Sequence, residues 1–164
     1  MEKQNRRALA YLLIGISAAG RALLAMPDNT QIQELSLTVL AVVGYLLVCR
    51  RTVAPLVCGA LQLVLELVLC GSQSGGIWQW LLPALRAADL WILLATAVLM
   101  LRQAGQPARS MPLAAAVPLA VYSVAHFLPS LATVASLAFV VFSVVLLWYA
   151  VLMLRAYNAA RNGA

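Results

Sequence analysis

Six long apolar segments, separated by short polar gaps, divide this 164-residue chain. An α-helix needs about 20 apolar residues to cross the hydrocarbon layer of a membrane, and each segment is close to this length. We therefore predict an all-α, six-helix transmembrane bundle that forms a single domain over residues 1–164. The predicted helices cover residues 8–26, 33–49, 53–70, 78–101, 112–128 and 131–154.

Basic residues fall only in alternate gaps, and this sets the predicted orientation. The gaps 27–32, 71–77 and 129–130 hold none. Because basic loops stay on the cytoplasmic side of a membrane, we expect both termini in the cytoplasm and the protein in a plasma or inner membrane. The nine basic residues of the other gaps and the two termini are Lys3, Arg6, Arg7, Arg50, Arg51, Arg102, Arg109, Arg155 and Arg161.

Composition supports a membrane protein and argues against nucleic-acid binding. Hydrophobic residues make up 64% of the chain and charged residues 10%, which is more apolar surface than a soluble domain of this size can bury. The net charge is +6, but the arginines lie at helix ends rather than in a basic stripe interleaved with aromatic residues. The preference for arginine, with Lys3 as the one lysine, suggests a GC-rich bacterial genome.

Ionisable residues inside the apolar segments are the main functional signal. Such groups usually pair, face the protein interior or line a pathway. At about 1.5 Å per helical residue, all of them lie between the bilayer centre and the outer face, which predicts a polar pocket in the outer half of the membrane. They are Arg21, Glu66, Arg86, Asp89 and His126.

Helical spacing adds polar neighbours to these charges, because residues three or four apart share a face. The pairs are Ser17 with Arg21, Gln62 with Glu66, Arg86 with Asp89, and Tyr122 with His126. Glu66 is deep and has no local partner beyond Gln62, so it is the first candidate to carry a proton. The candidate ligand-binding or proton-carrying residues are Arg21, Gln62, Glu66, Arg86, Asp89, Tyr122 and His126.

Each candidate also has a structural alternative. Arg86 and Asp89 can form an ion pair that only fixes helix packing. Arg21 can extend to the outer interface and keep its charge in water. His126 lies close to the outer end of its helix and can be an ordinary interfacial residue.

Motifs for catalysis, metals and cofactors are missing. The sequence has one histidine, and its cysteines Cys49, Cys58 and Cys70 form no C-x-x-C pair, so neither a bis-histidine haem nor a zinc set is indicated. It contains no H-E-x-x-H, no G-x-S-x-G and no phosphate-binding glycine loop. We predict no catalytic residue, no metal and no cofactor, and favour a protein that is not an enzyme.

A short repeat suggests an internal organisation. Residues 97–102 and 150–155 have the same sequence, Ala-Val-Leu-Met-Leu-Arg. The interval fits three successive helical hairpins. The alternative is that any helix of Leu, Val and Ala that ends inside at an arginine looks like this.

In size and threading the chain is similar to the membrane-embedded substrate-binding subunits of energy-coupling-factor vitamin transporters. Those subunits dock on a transmembrane scaffold through small residues of the first helix, and here Ala18 and Ala22 lie four apart. The resemblance implies a binding or transport component that takes a small uncharged or zwitterionic ligand, with a scaffold or ATPase partner and membrane lipids around it. The alternatives are a structural or regulatory membrane subunit and an intramembrane lipid-modifying enzyme.

Overall fold

The structure is a computed structural model that describes residues 2–23, 31–48, 53–71, 76–106 and 110–162. These residues form six α-helices and one short 3-10 helix, which confirms the all-α prediction for this part of the chain. The helices are α1 (Glu2–Leu23), α2 (Gln31–Val48), α3 (Ala54–Gly71), α4 (Trp78–Gln103), α5 (Met111–Ala125) and α6 (Ala132–Asn162), with the 3-10 turn at Pro129–Leu131 before α6.

Two helices extend beyond the apolar segments that predicted them. α1 begins at Glu2 and so includes Arg6 and Arg7, and α6 continues past Arg155 to Asn162. The residues after Arg155 are mostly alanine and arginine, which favour helix, and no proline or glycine interrupts them. A charged residue marks the end of an apolar segment, but it does not end a helix.

Within the described residues, three helices are long and apolar enough to cross a membrane, which is compatible with a membrane location. They are Ala54–Gly71, Trp80–Gln103 and Pro129–Asn162, and two shorter apolar helices cover Ile32–Val48 and Met111–Ala125. α1 is more polar, because it carries charged residues near its start and Arg21 in its last turn. Six membrane crossings therefore remain a prediction.

The helices pack in a closed ring. Each helix contacts the next one along the chain, and α6 returns to pack against α1. Neighbours at the start of the ring are antiparallel: Gly20 of α1 lies beside Leu37 of α2, whereas Ile14, earlier in α1, lies beside Gly44, later in α2. The consecutive pairs of the predicted hairpins do pack together, and the contact between α1 and α6 joins the first pair to the last.

Small residues allow close approach where the helices cross. A Cβ atom on Gly44 would lie 2.7 Å from Ile14 Cγ1 and 3.1 Å from the Ala10 carbonyl oxygen. A Cβ atom on Gly59 of α3 would lie 2.9 Å from the Tyr45 ring. These glycines bring α1, α2 and α3 close together, as small residues do in membrane bundles, and so set the spacing of the polar side chains that these helices carry inward.

The outward surface of the helices is largely apolar. Exposed valine, leucine and isoleucine side chains follow α2, α3, α5 and α6 along most of their length. An apolar exterior of this extent suits lipid rather than water. The polar side chains of interest are instead buried between helices.

Candidate functional site

A buried ionic cluster lies where the first four helices meet. Arg21 comes from the last turn of α1, Glu66 from α3 and Asp89 from α4. Their side chains are only 8%, 3% and 10% exposed. The cluster therefore unites three of the five ionisable residues that the sequence places inside apolar segments.

Arg21 connects the other members. Its Nη2 forms an ion pair with Glu66 Oε1 and donates a hydrogen bond to Thr38 Oγ1. Its Nη1 lies 3.7 Å from Asp89 Oδ2, an ion pair that is longer than a hydrogen bond. One guanidinium thus joins α1 to α2, α3 and α4, and its fork of donors suits it to hold several oxygens at once.

Thr38 completes the contact between Arg21 and Glu66. It is fully buried in the middle of α2, and its hydroxyl lies within hydrogen-bonding distance of both Glu66 carboxylate oxygens. A hydroxyl has one hydrogen and two acceptor lone pairs, so Thr38 can accept from Arg21 while it donates to Glu66. Beside it, the Ser17 hydroxyl donates to the Leu37 carbonyl at 2.7 Å and ties α1 to α2.

Three polar atoms in the cluster lack a hydrogen-bond partner among the described residues. They are the donors Arg21 Nε and Gln62 Nε2 and the acceptor Asp89 Oδ1. Gln62 is 1% exposed, and its amide faces Asp89 closely enough to interact with it, but the two do not form a hydrogen bond of normal geometry. Buried polar atoms are nearly always bonded, so each of these three atoms is free to form one further hydrogen bond.

The remaining candidates form a second group between α4 and α5. The rings of Tyr122 and His126 stack with centroids 5.0 Å apart, and Phe139 of α6 lies 5.3 Å from Tyr122. Arg86 is exposed and close enough to interact electrostatically with both Tyr122 and His126. The predicted single site is therefore two groups of residues on different sides of α4.

Two structural interpretations of the charges are wrong. Arg86 and Asp89 do not pair in the described structure: Asp89 is buried and faces Arg21, while Arg86 is exposed and interacts electrostatically with Tyr122 and His126. Arg21 does not extend to an interface, because its side chain is 8% exposed and held by Glu66. Glu66 has its partners on two other helices, Arg21 on α1 and Thr38 on α2.

Thr38 is the member of the buried cluster that the sequence did not indicate. A hydroxyl does not interrupt a hydropathy pattern, so α2 reads as a helix without an internal polar group. The signal available was helical spacing: Glu34 and Thr38 are four residues apart and share a face, and the Thr38 hydroxyl also lies 3.1 Å from the Glu34 carbonyl oxygen.

The cluster contains an ion pair and two carboxylates, which are groups that can exchange protons. Among the described residues, no three His, Cys, Asp or Glu side chains come together as a metal-ligand set. The chain matches no known family model and has no significant match among curated proteins or solved structures.

Proposed function

We propose that this protein is a multi-pass membrane component that binds a small polar solute between α1, α2, α3 and α4 for transport. The observation that carries the proposal is the buried cluster of Arg21, Glu66 and Asp89 with its unpartnered polar atoms. Charged side chains are rarely kept in a membrane interior without a functional use.

The polar atoms without partners define the solute class. Arg21 Nε and Gln62 Nε2 are donors, and Asp89 Oδ1 is an acceptor. A solute that satisfies all three needs both acceptor and donor groups. Small uncharged or zwitterionic molecules have this combination, and a large anion does not.

The depth of the cluster fits a binding site within the bilayer. At about 1.5 Å per residue, Thr38 lies about 15 Å from the end of α2 at Val48, and Glu66 about 18 Å from the start of α3 at Ala54. The hydrocarbon layer is about 30 Å thick. With both termini in the cytoplasm, as the arginine pattern favours, these distances count from the inner face and reach the bilayer centre or slightly beyond.

A structural or regulatory role is the second candidate. Arg21, Thr38 and Glu66 already satisfy one another across three helices, and such contacts hold membrane bundles together. In this case the unpartnered atoms are a by-product of packing, and the protein would act through a partner in the bilayer.

Native mass spectrometry of the full chain, released gently from its own membrane, tests the proposal. We expect the protein to retain a small polar molecule, to lose it in Gln62→Leu, and to keep it in the control Arg86→Gln, which lies outside the cluster. Co-release of a scaffold or ATPase would support a transport complex. Lipids alone, or further copies of the chain, would favour the structural role.

A further inference from the structure

The buried cluster has one more negative than positive charge if every group is ionised. Arg21 contributes one positive charge, and Glu66 and Asp89 contribute two negative charges. All three side chains are at least nine-tenths buried. A buried ion without compensation is strongly unfavourable, and such a group usually becomes neutral instead. The cluster therefore needs one additional positive charge.

The contacts of the two carboxylates show which one is left uncompensated. Glu66 has the close ion pair with Arg21 and the Thr38 hydroxyl on its oxygens. Asp89 has one ion pair among the described residues, the 3.7 Å contact to Arg21, and its Oδ1 has no hydrogen-bond partner among them. Hydrogen bonds stabilise the ionised form of a carboxylate, so Glu66 is the one that stays charged.

Gln62 is placed to support Asp89 in either protonation state. Its amide faces Asp89, and an amide carries two N–H donors and a carbonyl acceptor. When Asp89 is a carboxylate, Nε2 can donate to it. When Asp89 is a carboxylic acid, the amide can turn so that its oxygen accepts the acid hydrogen. The two unpartnered atoms, Gln62 Nε2 and Asp89 Oδ1, are those that the bond to the carboxylate would join; the bond to the acid would join the Gln62 amide oxygen to Oδ1.

We infer that Asp89 binds one exchangeable proton and that Glu66 remains ionised against Arg21. The proton comes from water and bonds to Oδ1; on release the O–H electron pair stays on that oxygen. The inference rests on the proposed function, because it concerns the same site, and it links solute movement to a proton. The sequence favoured Glu66 as the proton carrier, and the geometry moves that role to Asp89.

The charged and titratable groups around Asp89 come from several elements. Arg21 faces it from α1, Glu66 from α3, and Glu34 acts on it from the outer end of α2. Tyr122 of α5 and His126, which follows α5, instead interact with Arg86. Because Glu34 is exposed, its carboxylate can remain in water.

Infrared spectroscopy of the full chain in phosphatidylcholine vesicles tests this assignment. A protonated carboxylic acid has a C=O band separate from that of a carboxylate. We expect the wild-type protein at neutral pH to show one such band. Carbon-13 labelling of aspartate should shift the band, whereas labelling of glutamate should leave it in place. The chain has two aspartates, Asp28 and Asp89, so Asp28→Asn should keep the band and Asp89→Asn should abolish it.

The labelling needs no variant, so it remains decisive if Asp89→Asn fails to fold. A missing band, or a band that moves with labelled glutamate, overturns the inference. If the band is missing and the melting temperature rises with sodium chloride but not with choline chloride, a metal cation supplies the positive charge in place of the proton. Loss of the proton with retention of a solute in native mass spectrometry would refute the inference and leave the proposed function intact. The presence of the band in a protein that retains no solute would support the inference and refute the proposed function.

Discussion

Arg21 of α1 reaches across the bundle to Glu66 of α3, 45 residues later in the chain. The two side chains are 8% and 3% exposed, so the ion pair is shielded from water. Removing one partner of such a pair leaves a buried charge without compensation, whereas replacing both with apolar residues is often tolerated. The pair is therefore the most sensitive contact in the cluster.

We expect Glu66→Leu to destabilise the protein by about 3 kcal/mol, because it removes the close ion-pair partner of the buried Arg21 side chain. The double variant Arg21→Met with Glu66→Leu should recover much of this loss. Thermal or denaturant unfolding in detergent measures both. A double variant that is less stable than Glu66→Leu would show that the pair is not the main contribution of these residues. Any solute binding should be absent in both variants.

Thr38→Val should lower stability by about 2 kcal/mol, in the range for a hydrogen bond to a charged group. The substitution keeps the shape of the side chain and removes the hydroxyl that lies between Arg21 and Glu66. Ser36→Ala on the same helix is the matched control, because Ser36 is exposed and bonds only to the Ile32 carbonyl of its own helix. Equal effects of the two substitutions would argue against a special role for Thr38.

A double-mutant cycle should separate the true partner of Asp89 from the one that spacing suggests. We expect measurable coupling in unfolding free energy between Arg21 and Asp89, which lie 3.7 Å apart. Arg86 and Asp89 should be additive within about 0.5 kcal/mol, as independent sites are. Substitution of all three residues with uncharged side chains, singly and in pairs, provides the cycle. Coupling at Arg86 that equals that at Arg21 would contradict the geometry.

Gly44→Ala should destabilise the bundle by about 1–3 kcal/mol, the usual range for overpacking. The new methyl group would come within 2.7 Å of Ile14 and 3.1 Å of the Ala10 carbonyl, and backbone cannot move aside easily. Gly71→Ala is the control, since nothing lies within 4 Å of that position. The melting temperatures of the two variants are measured in the same detergent. Equal values for Gly44→Ala and Gly71→Ala would mean that α1 and α2 are not in close contact.

The proposed orientation predicts different labelling of Cys70, on α3, and Cys49, which precedes α3 and lies outside the described residues. Cys70 is exposed near the end of α3 that should face outward. In a variant that keeps Cys70 and replaces Cys49 and Cys58 with alanine, a membrane-impermeant maleimide should react in intact cells. In the variant that keeps only Cys49, reaction should require lysis. The reverse pattern would invert the topology that the arginines indicate.

The sequence could predict which helix faces are polar but not how the faces meet. Helical spacing placed Ser17 with Arg21 and Gln62 with Glu66, and these residues do lie in one cluster. The same spacing failed for Arg86 and Asp89. Residues three apart differ in direction by about 60° around a helix axis, which is enough to turn one side chain toward α3 and the other toward α5.

Contacts between distant helices were beyond reach from a single sequence. The partners of Glu66 lie 45 and 28 residues away, on α1 and α2. No local pattern specifies which of several apolar helices will be neighbours, because lipid-facing and protein-facing apolar residues have similar chemistry. Glycines such as Gly44 and Gly59 indicated close approach only once their neighbours were known.

The contact between α1 and α6 has a consequence for how the bundle is made. Gly15 of α1 packs against Ala150 and Met153 of α6, so α1, which is synthesised before α6, must wait for α6 before its packing is complete. Until then, the small-residue face of α1 stays open to lipid or to a chaperone. A chain that stalls before α6 keeps that face unprotected, and this is where membrane quality control would be able to tell an unfinished molecule from a finished one.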